Sequence, residues 1–258
     1  MKDIKVIVAM HKPYQASEDP LYYPLHVGAT EKESIGYIGD DSGDNISEKN
    51  PYYCELTGLY WAMHNLDFDY IGLCHYRRYF SLKHSVKNKL DSVLTLQEAS
   101  QLLEHSDIIL PKKRHYYIES IYEHYKNTMY VEPLDITGDI IREKYPEYYP
   151  AFQDLHKRTS AHLFNMFIMK KEIAANYCDW LFSILDELEN RTDYTQYDAF
   201  HARYFGRISE RLMDVYIQTN HLEYKEIRVT DLGDTNWRKK ILGFLSATLF
   251  KKKYKQSF

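Results

Sequence analysis

The chain has 258 residues, 44% of them hydrophobic and 27% charged, and a formal net charge of −4. That length can bury a sizeable core, as one large α/β domain or one domain with a subdomain, and the weakly acidic total gives no general argument for nucleic-acid binding. No uncharged run approaches the ~20 residues of a membrane span, and the charged amino terminus leads straight into a strand with no signal-peptide pattern, so a cytoplasmic protein is expected.

Ile4 to Met10 predicts the first core strand, which His11-Lys12-Pro13 breaks with a basic loop at its carboxyl end. Leu25 to Ala29 and Ile35 to Ile38 are short strand candidates. Asp40 to Ser47 is a polar loop by composition, and it leads through Asn50-Pro51 into a helix from about Tyr52 to Leu66. Tyr70-Ile71-Gly72-Leu73-Cys74 predicts a buried central strand. Thr95-Leu96-Gln97-Glu98 has the form of a capping box for a helix reaching about His105, and Asp107 to Leu110 predicts another buried strand, stopped by Pro111. Residues 119 to 158 read as mainly helical, interrupted by Pro133, Pro146 and Pro150. Leu163 to Met169 predicts a strand, and Glu172 to Glu189 a helix whose Tyr177, Leu181, Ile184, Leu185 and Leu188 recur at helical spacing. A further helix is expected over about Ile208 to Thr219 and a last strand over Tyr224 to Val229. Strands alternating with helices imply an α/β fold with a mainly parallel sheet covered on both faces.

The central strand ends abruptly in His75-Tyr76-Arg77-Arg78-Tyr79-Phe80. In open α/β sheets the carboxyl edge of the strands is where ligands bind. Two adjacent guanidiniums suit a phosphate or diphosphate, and aromatic rings can stack on a base or a sugar face. An ordinary strand end, with both Arg residues paired to nearby acids, accounts equally well for these residues alone. The His11 loop, the Asp40 loop, Lys112 to His115 and Asn165 also fall where strands or buried segments end, so a parallel sheet would gather them on one edge. The 25 tyrosines, many in pairs such as Tyr22-Tyr23 and Tyr148-Tyr149, suit carbohydrate binding and equally the half-buried surfaces of any fold. Cys54, Cys74 and Cys178 lie far apart in apolar segments, as small core residues of a reducing compartment do.

Several activities lose support from missing motifs. There is no glycine-rich dinucleotide or P-loop sequence, no Gly-x-Ser-x-Gly elbow and no His-Glu-x-x-His helix. Asp40-Asp41-Ser42-Gly43-Asp44-Asn45 offers oxygen ligands but lacks the spacing and distal Glu of an EF-hand, so a solvated turn is favoured over a metal site. Glu210 is expected to open a helix beside Arg207 and Arg211, either as a general base or as a helix-end carboxylate paired to those arginines. Glu55 stands in an otherwise apolar helix and needs a buried partner or a ligand, the former being favoured. Asp231 to Phe258 carries a net +5 and residues 1 to 230 carry −9. The chain thus divides into a single domain over 1–230 and a basic amphipathic tail over 231–258. In the tail, residues 237–255 hold an apolar segment between basic clusters, suited to an anionic membrane surface or to docking on the core.

The motifs Asp41-x-Gly43-Asp44-Asn45-Ile46-Ser47, Asn50-x-x-Tyr53-Cys54-Glu55-Leu56-Thr57-Gly58, Ile71-Gly72-Leu73-Cys74-His75-Tyr76-Arg77-Arg78-Tyr79-Phe80, Asn165-Met166-Phe167-Ile168-Met169 and Ser209-Glu210-Arg211-Leu212 together resemble a bacterial family of capsular and exopolysaccharide biosynthesis proteins. That family was long catalogued as a domain of unknown function and is associated with glycosyltransferase activity. The resemblance runs from the first strand to about Leu222 and leaves the tail outside. It implies a GT-A-like fold and transfer of a hexose, with galactose in pyranose or furanose form in view, from a UDP-sugar to a lipid-linked glycan at the inner face of the plasma membrane. His11, Lys12, Asp41, Asn45, His75, Arg77 and Arg78 would then bind the donor and its diphosphate. Tyr76, Asn165 and Glu55 would line the sugar or acceptor side, and Glu210 or Asp198 would act as base if the mechanism inverts. Many GT-A enzymes hold Mn2+ or Mg2+ through Asp-x-Asp after the central strand. This sequence has no such motif, and Arg77 and Arg78 can neutralise a leaving diphosphate instead. The competing class is a non-catalytic glycan-binding or assembly protein of the same pathway.

Overall fold

The computed structural model describes residues 2–83 and 88–233. In chain order, β1 (Ile4–Met10), β2 (Tyr22–His26) and β3 (Ile38–Gly39) lead into α1 (Asn50–Tyr53) and α2 (Leu56–Asn65). β4 (Tyr70–His75) and β5 (Arg78–Ser81) follow, then α3 (Leu96–Leu102), β6 (Ile108–Pro111) and the short β7 (Arg114–His115). Helices α4 (Ile121–Thr128), α5 (Glu132–Lys144) and α6 (Tyr149–Lys157) precede β8 (Ser160–Ala161) and β9 (Phe167–Lys170). Next come α7 (Lys171–Arg191), α8 (Tyr204–Thr219) and β10 (Lys225–Asp231). The chain forms two compact units, one of residues 1–112, 164–179 and 223–233, the other built mainly of residues 113–163 and 180–222.

The first unit is an α/β unit around an eight-stranded sheet. β1 buries Ile4, Val6, Val8 and Met10 on one face and Ile7 and Ala9 on the other, as a strand covered on both faces must. It pairs in parallel with β2 and with β4, and β2 pairs in parallel with β3. Beyond β4 the senses mix. His75 pairs with Arg78 across the two-residue turn Tyr76-Arg77, so β5 runs back along β4. β5 is antiparallel to β10, β10 parallel to β6, and β9 antiparallel to both β6 and β4. These pairings close β4, β5, β10, β6 and β9 into a hydrogen-bonded ring.

The expected mainly parallel sheet is therefore a mixed one, because a two-residue turn can only reverse a strand, whereas a parallel neighbour needs a long crossover. Other boundaries shift as well. The helix expected from Tyr52 to Leu66 is broken at Cys54, whose φ of 57° ends α1 and starts α2 on a new axis. The expected strands at Leu25–Ala29 and Ile35–Ile38 are β2 and the two-residue β3. Pro111 lies inside β6, opposite Ile227. The capping box is present, with Glu98 and Thr95 satisfying each other's backbone N–H groups.

The second unit is helical. Pro133 and Pro150 start α5 and α6 rather than interrupting a helix, since proline's missing N–H costs nothing in a first turn. α6 packs against α4, α5 and α8. α8 is buried over most of its length, so its polar residues need internal partners. Asp214 accepts the Nδ1 and backbone N–H of His162, both at 2.7 Å. The Arg211 guanidinium lies 4.5 Å from the Tyr125 ring centre and donates to the Arg207 carbonyl. Glu119 accepts from His124 at 2.9 Å and Asn127 at 2.8 Å. Among the described residues no helix is long and apolar enough to cross a membrane.

Two predictions follow from this packing. A Cβ at Gly72 of β4 would lie 2.5 Å from the Phe167 carbonyl of β9, and backbone cannot yield as a side chain can. Gly72→Ala is expected to lower stability by ~1–3 kcal/mol, read as a reduced urea midpoint. Separately, burial lowers the His156 pKa to about 4, helped by the charge of Arg211. Burial lowers that of His124 too, against the opposing hydrogen bond of Glu119. Between the ordinary value of 6.5 and these lowered values the unfolded chain binds more protons than the folded one. Thermal stability should therefore fall as pH drops from 6.5 towards 4, and His156→Phe should make that fall shallower.

Candidate active site

β1, β2, β3, β4, β6 and β10 share one direction, so their carboxyl ends lie on one edge of the sheet. His11 and Lys12 follow β1, Asp40 follows β3, His75 ends β4, Lys112 follows β6 and Asp231 ends β10. β9 runs the other way, so the residues that precede it, Phe164, Asn165 and Met166, lie at this same edge.

At the end of β4, His75 Nε2 stands 2.6 Å from the Phe164 carbonyl oxygen. A carbonyl can only accept, so Nε2 carries the proton. Glu55 Oε1 accepts from the Asn165 side-chain amide at 2.7 Å and lies 3.9 Å from His75 Nε2. Glu55 and Asn165 each adjoin or occupy unusual backbone: Cys54 has φ 57° and Asn165 φ 49°. Such strain costs ~1–3 kcal/mol and clusters at functional sites. A hydrogen bond to a charged carboxylate contributes ~1.5–3 kcal/mol, enough to hold Asn165 in place. Among the described residues Glu55 Oε2 and His75 Nδ1 have no hydrogen-bond partner, which leaves an acceptor and a ring nitrogen open.

Around this trio sit the cations and rings of the neighbouring turns. Tyr76 meets the His11 ring edge-on at 4.7 Å and Tyr14 at 5.2 Å, with Lys12 5.3 Å and Arg77 5.4 Å from its ring centre. Arg78 lies 5.0 Å from the Phe164 ring centre and 3.7 Å from Asp231. Arg77 has no carboxylate partner among the described residues. The sequence does not single out Phe164, Asp231 and Tyr14, since each owes its place to a strand pairing or a turn that composition does not signal.

Other expected residues fall elsewhere. Asp40 is fully buried and accepts from Gly28 N at 3.0 Å, Ala29 N at 3.1 Å, Thr57 Oγ1 at 2.6 Å and Ser47 Oγ. It is a structural carboxylate with its capacity filled. Asp41 is exposed, and Asn45 closes a turn by accepting from Ser47 N at 3.2 Å. Glu55 precedes α2 rather than lying within a continuous helix, and Asn165 precedes β9 rather than lying in it. In the second unit, Glu210 is in the second turn of α8, not at its start, because that helix begins at Tyr204. Glu210 is partly exposed and lies 3.9 Å from Arg211. Asp198 accepts from His201 Nδ1 and from two backbone N–H groups, and the His201 hydrogen bond holds its carboxyl below the usual range. Such a carboxylate is a poor base. Residues 237–255, assigned from sequence to a membrane surface, lie outside the described residues.

Among the described residues no three His, Cys, Asp or Glu side chains converge as ligands. The groups following β4 are themselves cations, Arg77 and Arg78, and one oxygen of Glu55 is engaged by Asn165.

A family described as a domain of unknown function, DUF4422, matches residues 5–221. The chain is also similar to the apo structure of WbbM, a bifunctional glycosyltransferase, with a TM-score of 0.83 and 33% identity over 90% of this chain and 46% of that one. It therefore spans less than half the length of WbbM. No curated protein matches the chain.

The Glu55–Asn165 pair makes a stability prediction. Asn165→Ala loses the side-chain amide while keeping a β-carbon at φ 49°, whereas Asn165→Gly loses the amide but also removes that β-carbon and its strain. Both variants should be destabilised, the alanine one by ~1 kcal/mol more, as read from chemical denaturation.

Proposed function

The chain belongs to the DUF4422 family, and from that premise we propose that it is a glycosyltransferase of surface polysaccharide biosynthesis. The donor is a UDP-hexose, with galactose in pyranose or furanose form the leading candidate, and the acceptor a lipid-linked glycan. Residues 1–230 form the GT-A-like catalytic part, and the basic tail at 231–258 meets the anionic inner face of the membrane.

The observation that carries this reading is the unused polar capacity at the carboxyl end of β4. Arg77, Arg78 and Lys12 gather positive charge there beside Tyr76 and His11. A leaving UDP develops negative charge on its diphosphate, and a pair of fixed guanidinium forks stabilises that charge without reorganising. Arg78, held by Asp231 and the Phe164 ring, supplies a fixed fork, while Arg77, free of a carboxylate among the described residues, supplies the adaptable one. Glu55 Oε2 and His75 Nδ1 are suited to sugar hydroxyls, with Asn165 keeping the carboxylate turned. Tyr76 offers a face for the uracil or the sugar. Glu210 is the candidate base for an inverting reaction, ahead of Asp198. Support from outside the chain is the likeness to WbbM, a bifunctional glycosyltransferase.

The test is a screen of nucleotide sugars by thermal shift and donor hydrolysis, with manganese, without it and with chelator. One UDP-hexose should raise the melting temperature and be hydrolysed. Arg77→Ala and Arg78→Ala should each lower kcat by ~10²–10³-fold while leaving the melting temperature of the free protein nearly unchanged. If no nucleotide sugar binds, the donor site is refuted and a glycan-binding role takes its place. If chelator abolishes turnover, the diphosphate is not carried by the arginines alone.

A further inference from the structure

The second unit contains a cleft of about 500 Å³ between α4, α5 and α6 that nothing in the proposed reaction uses. Its size is within the range of small-ligand sites, ~300–1,000 Å³. Four rings line it: Tyr122 of α4 and Tyr149, Phe152 and His156 of α6. Asp135 and Asp139, one helical turn apart on α5, line the same cleft with Gln153.

The floor depends on Gly138. A Cβ there would lie 2.8 Å from Phe152 Cε1, so only glycine lets α5 come down onto that ring, although glycine inside a helix costs ~1 kcal/mol relative to alanine. His156 sits between rings, 5.0 Å from Tyr122 and 4.2 Å from Phe152, with its Nε2 buried and unpartnered among the described residues. Burial keeps this imidazole neutral at physiological pH.

The polar groups are only half used. Asp135 accepts from the Tyr122 hydroxyl at 3.0 Å through one oxygen, and Asp139 pairs with Arg142 at 2.7 Å through one oxygen. The second oxygen of each is open among the described residues, as is the Gln153 amide. Two carboxylates repel a phosphate or a nucleotide. Arg142 at Asp139 and Lys157 at the cleft offset their charge and disfavour a strongly cationic ligand. What remains complementary is a neutral molecule that presents an apolar C–H face to rings and hydroxyl donors to carboxylates.

We propose that the cleft between α4, α5 and α6 binds a neutral saccharide, one or two sugar residues of a glycan. The proposal stands on the cleft itself, so its success or failure is independent of the donor site.

The test titrates the full chain with neutral saccharides, namely methyl glycosides of galactose, glucose and mannose and their disaccharides, with UDP and a short oligolysine peptide as contrasting probes. Binding is read by ligand-observed NMR and by amide shifts at Gly138 and Gln153. At least one saccharide should bind at millimolar concentration and perturb those amides. Tyr149→Ala and Asp135→Asn should each weaken it ~10-fold or more while the melting temperature stays close to that of the parent. Arg77→Ala should leave saccharide binding unchanged. The proposal is overturned if no saccharide perturbs the cleft, if the two cleft variants bind as the parent does, or if only UDP or oligolysine binds there.

Discussion

The antiparallel pairing of β9 with β4 is the constraint on which the candidate active site depends. The register sets Leu73 opposite Phe167 and Tyr70 opposite Lys170, so the residues before Phe167 have to continue past the carboxyl end of β4. That is how the Phe164 carbonyl reaches His75, the Phe164 ring reaches Arg78 and the Asn165 amide reaches Glu55. A parallel strand in the same slot would put its leading residues at the opposite edge, and a one-residue slip would turn Phe167 and Ile168 to the wrong faces. Gly72 is the condition for the pairing, because nothing larger lets β9 come so close.

Buried carboxylates in this protein divide by how completely they are used. Asp40 has four donors, Asp214 is held by the ring and backbone of His162, and Glu119 is held by His124 and Asn127. In Asp214, burial alone would raise the pKa, but the His162 hydrogen bonds and charge outweigh it and leave the carboxyl below its usual range. Such groups pin loops and helices and have nothing left for a ligand. Glu55 differs: among the described residues one oxygen is anchored and the other is free, beside a histidine with a free nitrogen, and its neighbour Cys54 and its partner Asn165 both have positive φ. Partial satisfaction costs stability at a site with no function, so its concentration at one sheet edge argues for a ligand.

Much of this was legible in the sequence. β1 was readable to the residue because Ile4 to Met10 is an apolar run interrupted only by Lys5 and ended by a proline-containing basic loop. α7 was readable because Tyr177, Leu181, Ile184, Leu185 and Leu188 recur at helical spacing and are all buried. β5 was not, since Arg78-Tyr79-Phe80-Ser81 has neither alternation nor a glycine turn before it, and its pairing with β10 joins residues some 150 positions apart. The break at Cys54 was hidden because a non-glycine residue at φ 57° leaves no compositional mark. The sequence marks Glu55 as an acid that needs a partner or a ligand and, separately, Asn165 as a polar group at a strand end. What sequence could not supply was that the two meet across 110 residues. The role of Asp40 was equally hidden: in a run of polar residues, one buried carboxylate looks like its exposed neighbours.

Charge separates the ligand classes of the two units. Residues 1 to 230 are net acidic, yet the turns after β1 and β4 place His11, Lys12 and Arg77 around Tyr76, with Arg78 next in the chain over the Phe164 ring. A cationic edge on an acidic protein focuses an anionic ligand onto itself, and the effect weakens with ionic strength. The α4–α5–α6 cleft has two carboxylates set against one arginine and one lysine, so it exerts little long-range pull and selects by shape and hydroxyl geometry. Affinity for a nucleotide sugar should therefore fall as salt rises while affinity for a neutral saccharide stays nearly constant. A shared salt dependence would mean that both ligands use the same charged edge.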